Sequence, residues 1–164
     1  MLTIGRLREA APGCIEQTAI EVVQHIAWQG APHDVLHGAL LSLLRDIWKV
    51  QAVVVDATGL GEALAAFLAA GLGKSRVLVR KFTTESKSHL GYNLLAAVNG
   101  GRLRLYRDAS PELRECLRQL ELCRADYRTG RTLNYYVEPR DGHDDYVMSL
   151  ALLCGALESA SPRR

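Results

Sequence analysis

The stretch that decides the fold is residues 53–61, which read VVVDATGLG. Three β-branched apolar residues in a row predict a strand that is buried on both faces. The run ends at Asp56, a glycine-rich turn follows, and residues 62–68 have a helical pattern. Open α/β sheets place binding and catalytic groups at the carboxyl ends of their strands. Asp56 is therefore a candidate functional carboxylate, and capping of the next helix is the alternative role.

A second acidic cluster, DGHDD at residues 141–145, opens the last predicted helix. Asp144 lies three residues before Val147, so the two side chains share the inward face of that helix. Asp144 is therefore the first choice for a functional acid here, and Asp145 is the second. The alternative role for both is helix capping with a favourable helix-dipole interaction.

Composition limits the class of protein. The chain has 164 residues and a net charge of +2, so we expect one domain over residues 1–164, with a frayed tail at 158–164. The near-balanced charge implies no strongly charged partner by itself. No apolar run is long enough to span a bilayer, and no membrane partner is expected. The four cysteines lack CxxC spacing, which favours buried thiols in a reducing cytosol.

The order of the remaining elements predicts the fold class. Strand-like segments come first, and helices then alternate with strands, which predicts an α/β fold with a mixed sheet covered by helices on both faces. Asp56 is expected on the central strand of that sheet. The predicted strands are 1–7, one within 14–28, 53–55, 77–79, 102–106 and 132–137, and the predicted helices are 36–47, 62–68, 87–98, 111–123 and 142–157.

Two glycine-rich segments partly match nucleotide-binding motifs. GLGKS at residues 71–75 contains the GKS of a phosphate-binding loop. That motif also requires a glycine five positions before Gly73, where this chain has Leu68. The segment also follows a helix and precedes a strand, so we interpret it as a glycine turn at a helix end. The glycine pair at 59–61 lacks the third glycine of a dinucleotide fingerprint. The charge of Asp56 would oppose a pyrophosphate there, which favours a bound metal ion instead.

Carboxylates from separate elements suit a particular chemistry. Mg²⁺ and Mn²⁺ prefer hard oxygen ligands, commonly one or two carboxylates with water and phosphate oxygens. Two such ions about 4 Å apart activate water and stabilise the leaving oxygen of a phosphodiester. Asp56 at a strand end and Asp144 or Asp145 at a helix start are suitable donors. His143, Thr58 and Glu62 are candidates to support them from adjacent positions.

The motifs together resemble one family. VDATGLG at 55–61, Lys87 at a helix start, GRL at 101–103 and GHDDYVMSLAL at 142–152 occur in the order found in the C-terminal nuclease domain of phage terminase large subunits. The resemblance implies an RNase H-like fold and metal-dependent cutting of concatemeric double-stranded DNA during genome packaging in the bacterial cytoplasm. It implies that Asp56 is the second metal-binding acid and that Asp144 or Asp145 is the third. It also implies Mg²⁺ or Mn²⁺ as cofactor, two ions in a complete site, and three packaging partners: the terminase ATPase domain, the small subunit and the portal.

One departure from the family affects activity. The family carries its first catalytic aspartate on a strand before the one that begins here at Met1, and the nearest acids in this chain are Glu9 and Glu16. We therefore expect a fragment or a truncated prophage gene that lacks the first strand and cuts DNA weakly or not at all. The alternatives are an inactive remnant that binds DNA or packaging partners, and another RNase H-like nuclease such as a resolvase.

Basic residues near the predicted site are candidates for DNA contact. They are Lys81, Lys87, Arg102 and Arg104. Lys and Arg on such a surface bind the phosphate backbone, and a solvated basic face is the alternative. The sequence has no element with clustered base-reading side chains, so little sequence specificity is expected.

Overall fold

A computed structural model of the chain describes residues 1–8, 18–59, 61–128 and 130–160. Glu9, Glu16 and Leu60, on which parts of the sequence interpretation rest, lie outside these residues. The strands are β1 (Leu2–Arg8), β2 (Ala19–Ile26), β3 (Val53–Asp56), β4 (Val77–Arg80), β5 (Leu103–Arg104), β6 (Arg124–Arg128) and β7 (Thr132–Tyr136). The helices are α1 (His33–Ser42), α2 (Gly61–Leu72), α3 (Thr84–Asn99), α4 (Pro111–Leu122) and α5 (Asp145–Ala160).

The chain divides into two compact units. The discontinuous unit comprises Met1–Ala27 and Thr84–Arg164, and the continuous unit is Trp28–Thr83. Asp56 belongs to the continuous unit, and Asp144 and Asp145 belong to the discontinuous unit. The expectation of one domain over residues 1–164 stays a prediction.

The discontinuous unit is built on a three-stranded sheet in the order β1-β2-β5. β1 and β2 are antiparallel with a bulge between Ile4 and Gly5, and β2 and β5 are parallel. Helix α5 covers one face of this sheet, where a side chain at Gly5 would collide with Leu153. Ile20 on the strand side and Leu150 on the helix side are fully buried. Burial of such apolar surface is the main term that holds helix and sheet together.

A β-hairpin of β6 and β7 extends the same unit. Strand β6 was not predicted, because its sequence RADYR has no apolar alternation and all five residues are exposed. It forms by antiparallel pairing with β7, in which Leu133 and Tyr135 alternate into the core. Backbone pairing with a buried neighbour therefore determines a strand that side-chain pattern alone does not reveal.

The continuous unit contains the stretch with which the fold prediction began. β3 and β4 are parallel and in register from Val53 opposite Val77 to Asp56 opposite Arg80. Helix α2 packs on both strands and against α1. After α2, Gly73 has a positive φ of 96° and a short 3₁₀ turn leads into β4. The GLGKS segment is therefore a glycine turn between a helix and a strand, as predicted.

The sheet differs in extent from the prediction. The strands of the described residues form sheets of three, two and two strands, and β3 has β4 as its one hydrogen-bonded neighbour there. The predicted central position of Asp56 is thus not seen within these residues. Val79 on β4 is 52% exposed. An apolar run such as residues 77–79 therefore indicates a strand but does not determine how many other strands pair with it.

Smaller predictions at element ends can also be compared. Ser110 caps α4, since its Oγ accepts a hydrogen bond from the Leu113 N–H at 3.2 Å and Pro111 follows it. Cys116 is buried as predicted, whereas Cys123 lies just beyond the helix end and is partly exposed.

Helix α5 continues to Ala160 where a tail was predicted from residue 158, because the first helix breaker there is Pro162. No helix in the described ranges is long and apolar enough to cross a membrane.

Candidate functional site

The Asp56 turn, residues 56–59, is held by strand β4 and by the Asp56 side chain. The Ala57 N–H donates to the carbonyl oxygen of Arg80 at 2.7 Å, which continues the β3–β4 ladder past the strand end. The Thr58 N–H donates to Oδ1 of Asp56 at 2.9 Å. Asp56 therefore closes an Asx turn with Thr58, and α2 begins later, at Gly61.

Gly61 allows the helix to begin close behind this turn. A Cβ at Gly61 would lie 1.9 Å from the carbonyl oxygen of Asp56. No side chain fits at that distance, so only glycine permits the backbone of α2 to approach the end of β3. Thr58 adds a second tie, because its Oγ1 accepts a hydrogen bond from the Phe82 N–H at 3.1 Å. The position of the Asp56 carboxylate is thus fixed by its neighbours in sequence and by the strand next to it.

Glu62 and Lys81 pair with each other. Both side chains are exposed and form an ion pair, and the hydrogen bond from Lys81 lowers the pKa of Glu62. Glu62 therefore stays ionised beside the Asp56 turn. The charge of Lys81, predicted to meet DNA, is partly compensated by this partner, so it is a weaker phosphate contact than its sequence position suggests.

The Asp144 turn, residues 142–146, is held from a different helix. Gly142 has a positive φ of 127°, and Nη1 of Arg118 donates to the carbonyl oxygen of Asp141 at 2.7 Å. At the start of α5, the Tyr146 N–H donates to Oε1 of Gln119 at 2.8 Å. Gln119 is a buried residue of α4, 27 positions away in sequence. Its side chain therefore accepts a hydrogen bond from a first-turn N–H of α5. An acid at position 144 would otherwise be the usual acceptor for such a group.

Gln119 is itself held in place by an ion pair. Its Nε2 donates to Oε1 of Glu115 at 3.0 Å, and Glu115 accepts two hydrogen bonds from Arg118 at 2.7 and 2.8 Å. The hydrogen bond from Arg118 is the largest cause that lowers the pKa of Glu115 to about 2, and the charge of His143 contributes. The exposed His143 thus contributes to the charge environment of Glu115. Sequence reasoning missed Gln119, because only the packing of α4 on α5 brings it there.

The two acids of this turn differ in exposure. Asp144 is half-buried and Asp145 is exposed. The charge of Asp144 contributes to the raised pKa of Cys123 and of Tyr135, although burial is the largest cause for both. The Asp144 charge is therefore felt by two groups of the same unit, Cys123 and Tyr135. Within the described residues, the Asp144 carboxylate forms no hydrogen bond or ion pair.

Lys87 lies in the same neighbourhood as Asp144. It is half-buried on α3, with Nζ 5.3 Å from the ring centroid of Tyr135. Its charge lowers the pKa of Cys123 while that of Asp144 raises it, so both groups lie near one thiol. The Tyr135 hydroxyl beside them is buried and finds no hydrogen-bond partner in the described part of the chain. A cation and an acid thus both act on the Cys123 thiol.

The two remaining basic candidates have different surroundings. Arg102 is half-buried, and its charge lowers the pKa of Cys154, which burial raises more strongly. Arg104 is exposed and lies 3.6 Å from Glu21. Arg6 and Arg8 approach the same carboxylate. Sequence reasoning missed these two arginines, although their alternation with Leu7 in a strand was the signal that they share a face.

Metal binding requires oxygen donors that are not already used. No group of three or more His, Cys, Asp or Glu side chains placed to hold a metal ion occurs among the described residues. Asp56 commits one carboxylate oxygen to its turn, and Asp144 is released from capping. As donors, both therefore suit a hard divalent cation.

The fold and these two turns can be compared with known proteins. No family model matches the chain, and no curated protein gives a significant match. Solved structures do match. The large terminase nuclease from thermophilic phage G20c with bound magnesium matches with a TM-score of 0.66 at 22% identity, over 94% of this chain and 80% of that one. The same nuclease with bound cobalt matches with a TM-score of 0.65 at 22% identity, over 94% and 80% of the two chains.

A third structure of that nuclease gives a TM-score of 0.62 at 20% identity, over 94% of this chain and 81% of that one. These matches confirm the predicted fold class: the chain has the RNase H-like α/β fold of a large terminase nuclease domain. The similarity extends over nearly the whole chain, which agrees with the order of motifs in the sequence. At this identity it shows the fold alone.

Proposed function

We propose that this chain is a nuclease domain of a phage terminase large subunit that hydrolyses phosphodiester bonds of double-stranded DNA with divalent metal ions. The observation that carries the proposal is the release of Asp144 from helix capping by Gln119, at 2.8 Å from the Tyr146 N–H. A half-buried acid at a helix start, without its usual structural task, is available for a ligand. The terminase nuclease fold supports the same reading.

The metal ligands in this proposal are Asp56 and Asp144, and Asp145 is the alternative to Asp144. The similar nuclease has been crystallised with magnesium and with cobalt, which supports a divalent ion. Bound in pairs, such ions supply water activation and stabilisation of the leaving oxygen. The residues of this chain hold the acids in place: Thr58 at the Asp56 turn, and Gln119 with Glu115 at the Asp144 turn.

The finer parts of the proposal come from the sequence resemblance. The substrate is concatemeric double-stranded DNA in an infected bacterial cell. The partners are the terminase ATPase domain, the small subunit and the portal.

Plasmid nicking tests the proposal. Nicking is measured across a titration of Mg²⁺ and Mn²⁺ for the full chain and for single variants of the two acids. We expect metal-dependent nicking and linearisation by the full chain, and loss of both in Asp56→Asn and Asp144→Asn. Asp46→Asn is the matched control, since Asp46 is an exposed acid paired with Arg45.

The outcomes separate the alternatives. Retained cutting in both Asp56→Asn and Asp144→Asn would refute the assignment of these acids. DNA binding without cutting by the full chain would favour an inactive remnant. Preferential cutting of branched over linear duplex DNA would favour a resolvase-type nuclease.

A further inference from the structure

An arginine cluster lies on the face of the three-stranded sheet opposite α5. The register places Arg6 of β1 opposite Glu21 of β2, and Glu21 opposite Arg104 of β5. Residues directly opposite each other on neighbouring strands share a face. Arg8 is two residues after Arg6 on β1 and joins the same face. We call these four residues the arginine row.

All three guanidinium groups lie close to one carboxylate, that of Glu21. Nε of Arg6 donates to Oε2 of Glu21 at 2.6 Å, and Nη1 atoms of Arg8 and Arg104 each lie 3.6 Å from Oε1. The Glu21 side chain is 14% exposed, whereas those of Arg6, Arg8 and Arg104 are 70%, 70% and 61% exposed. The hydrogen bond from Arg6 is the largest cause that lowers the pKa of Glu21. The row therefore presents a net charge of two positive units to solvent.

Fold stability does not account for this arrangement. An exposed ion pair contributes little to fold stability, and one guanidinium suffices to pair one carboxylate. Two further arginines beside the first add mutual repulsion across neighbouring strands. An anion that approaches from solvent would relieve that repulsion, because guanidinium groups bind phosphate oxygens through paired N–H donors. Glu21 meanwhile holds the three side chains in one place, which lowers the entropy lost on binding.

We propose that the arginine row binds the phosphate backbone of duplex DNA and positions the substrate. This inference rests on the proposed function, which supplies DNA as the ligand. Contacts of this kind set the register of a protein on DNA without reading its sequence. The row has no base-reading amide or exposed aromatic side chain among its four members, which agrees with backbone contact. Arg104 was a candidate from the sequence, and the structure adds Arg6, Arg8 and the organising role of Glu21.

Duplex binding in the presence of a chelator tests the inference without any cleavage. The fluorescence anisotropy of a labelled duplex is measured from low to high salt for the wild-type chain and for the triple variant Arg6→Gln, Arg8→Gln, Arg104→Gln. Each lost phosphate contact reduces the magnitude of the negative slope of log K against log salt by about 0.9. We therefore expect the slope of the triple variant to be smaller in magnitude by about 2 to 3. Glu21→Gln retains the three arginines and should retain most of the slope.

Arg45→Gln is the matched control, because Arg45 is also exposed and paired with one acid. Its slope should equal that of the wild type. Thermal melting of each variant confirms folding before binding is compared. An unchanged slope in the folded triple variant would overturn the inference, as would binding to anionic phospholipid vesicles but not to duplex DNA. Metal-dependent nicking, measured separately, decides the proposed function, so the two can fail independently.

Discussion

The Asp56 turn and the Asp144 turn each present an acid at the end of a secondary-structure element, but they are held in different ways. Asp56 is fixed by hydrogen bonds to residues within two positions and to the adjacent strand β4. Asp144 is fixed through Gln119, a buried side chain of another helix. A local turn depends on the backbone of a few residues, whereas a turn held at a distance depends on the packing of two helices. The two turns should therefore fail under different perturbations.

The largest effect is expected from closing the space behind the Asp56 turn. Gly61→Ala places a Cβ against the carbonyl oxygen of Asp56, at 1.9 Å without relaxation. We expect a loss of about 3 kcal/mol in the free energy of unfolding, since overpacking against the backbone has few ways to relax. Chemical denaturation measures it. Gly38→Ala in α1 is the control, because nothing lies within 4 Å of a Cβ there. Equal stability of the two variants would contradict the close approach.

Metal binding comes next and tests the proposed ligand role of each acid. If only the native state binds, Mn²⁺ at about 100 times its dissociation constant adds about 2.7 kcal/mol to the free energy of unfolding. Asp56→Asn and Asp144→Asn should each reduce that gain, and Asp46→Asn should not. Melting curves in chelator and in excess Mn²⁺ provide the measurement. Identical curves for the wild-type chain would argue against a metal site in these residues.

Removing the distant support should affect only the Asp144 turn. Gln119→Met leaves the Tyr146 N–H without its acceptor in a buried place, which costs about 2 kcal/mol. Gln24→Met, at an exposed glutamine of β2, serves as the control. Hydrogen exchange of the Tyr146 amide locates the change. If that amide stays protected in Gln119→Met, then Asp144 has taken over the cap and the turn has a local support after all.

The smallest effect concerns pH and again distinguishes the turns. The His25 ring lies 5.3 Å from that of Tyr146 in the first turn of α5, and burial lowers the His25 pKa to about 4, with the charge of Glu112 opposing. Because the unfolded chain takes up the proton first, stability is complete above the unfolded pKa of 6.5 and falls as pH decreases toward 4. We expect a loss of about 1 kcal/mol between pH 6.5 and 5.5. Urea unfolding at both pH values measures it.

His25→Gln should flatten that pH dependence. The ring also bonds Thr3 at 3.1 Å through Nδ1 and lies 5.6 Å from the Tyr106 ring, so the variant will lower stability at both pH values. The comparison therefore concerns the difference between the two pH values rather than the absolute stability. An undiminished difference in the variant would assign the pH dependence to other groups.

Much of the local structure followed from sequence pattern. The strand before Asp56, the Ser110 cap of α4 and the glycine turn at Gly73 were all predicted and found. Each depends on residues within about one or two turns of the chain. The burial of Cys123 was a local prediction that failed, because this residue lies just beyond the end of α4 and is partly exposed.

The sequence by itself determined the strand, turn and helix around Asp56 and the helix start at Asp144, because backbone sterics and side-chain periodicity act over short separations. Tertiary structure alone decided the remainder. It formed the exposed strand β6 by pairing with β7, brought Gln119 to Tyr146 across 27 residues, and aligned Arg6, Glu21 and Arg104 across three strands. Such contacts depend on register and packing between distant segments, and no local pattern encodes those distances.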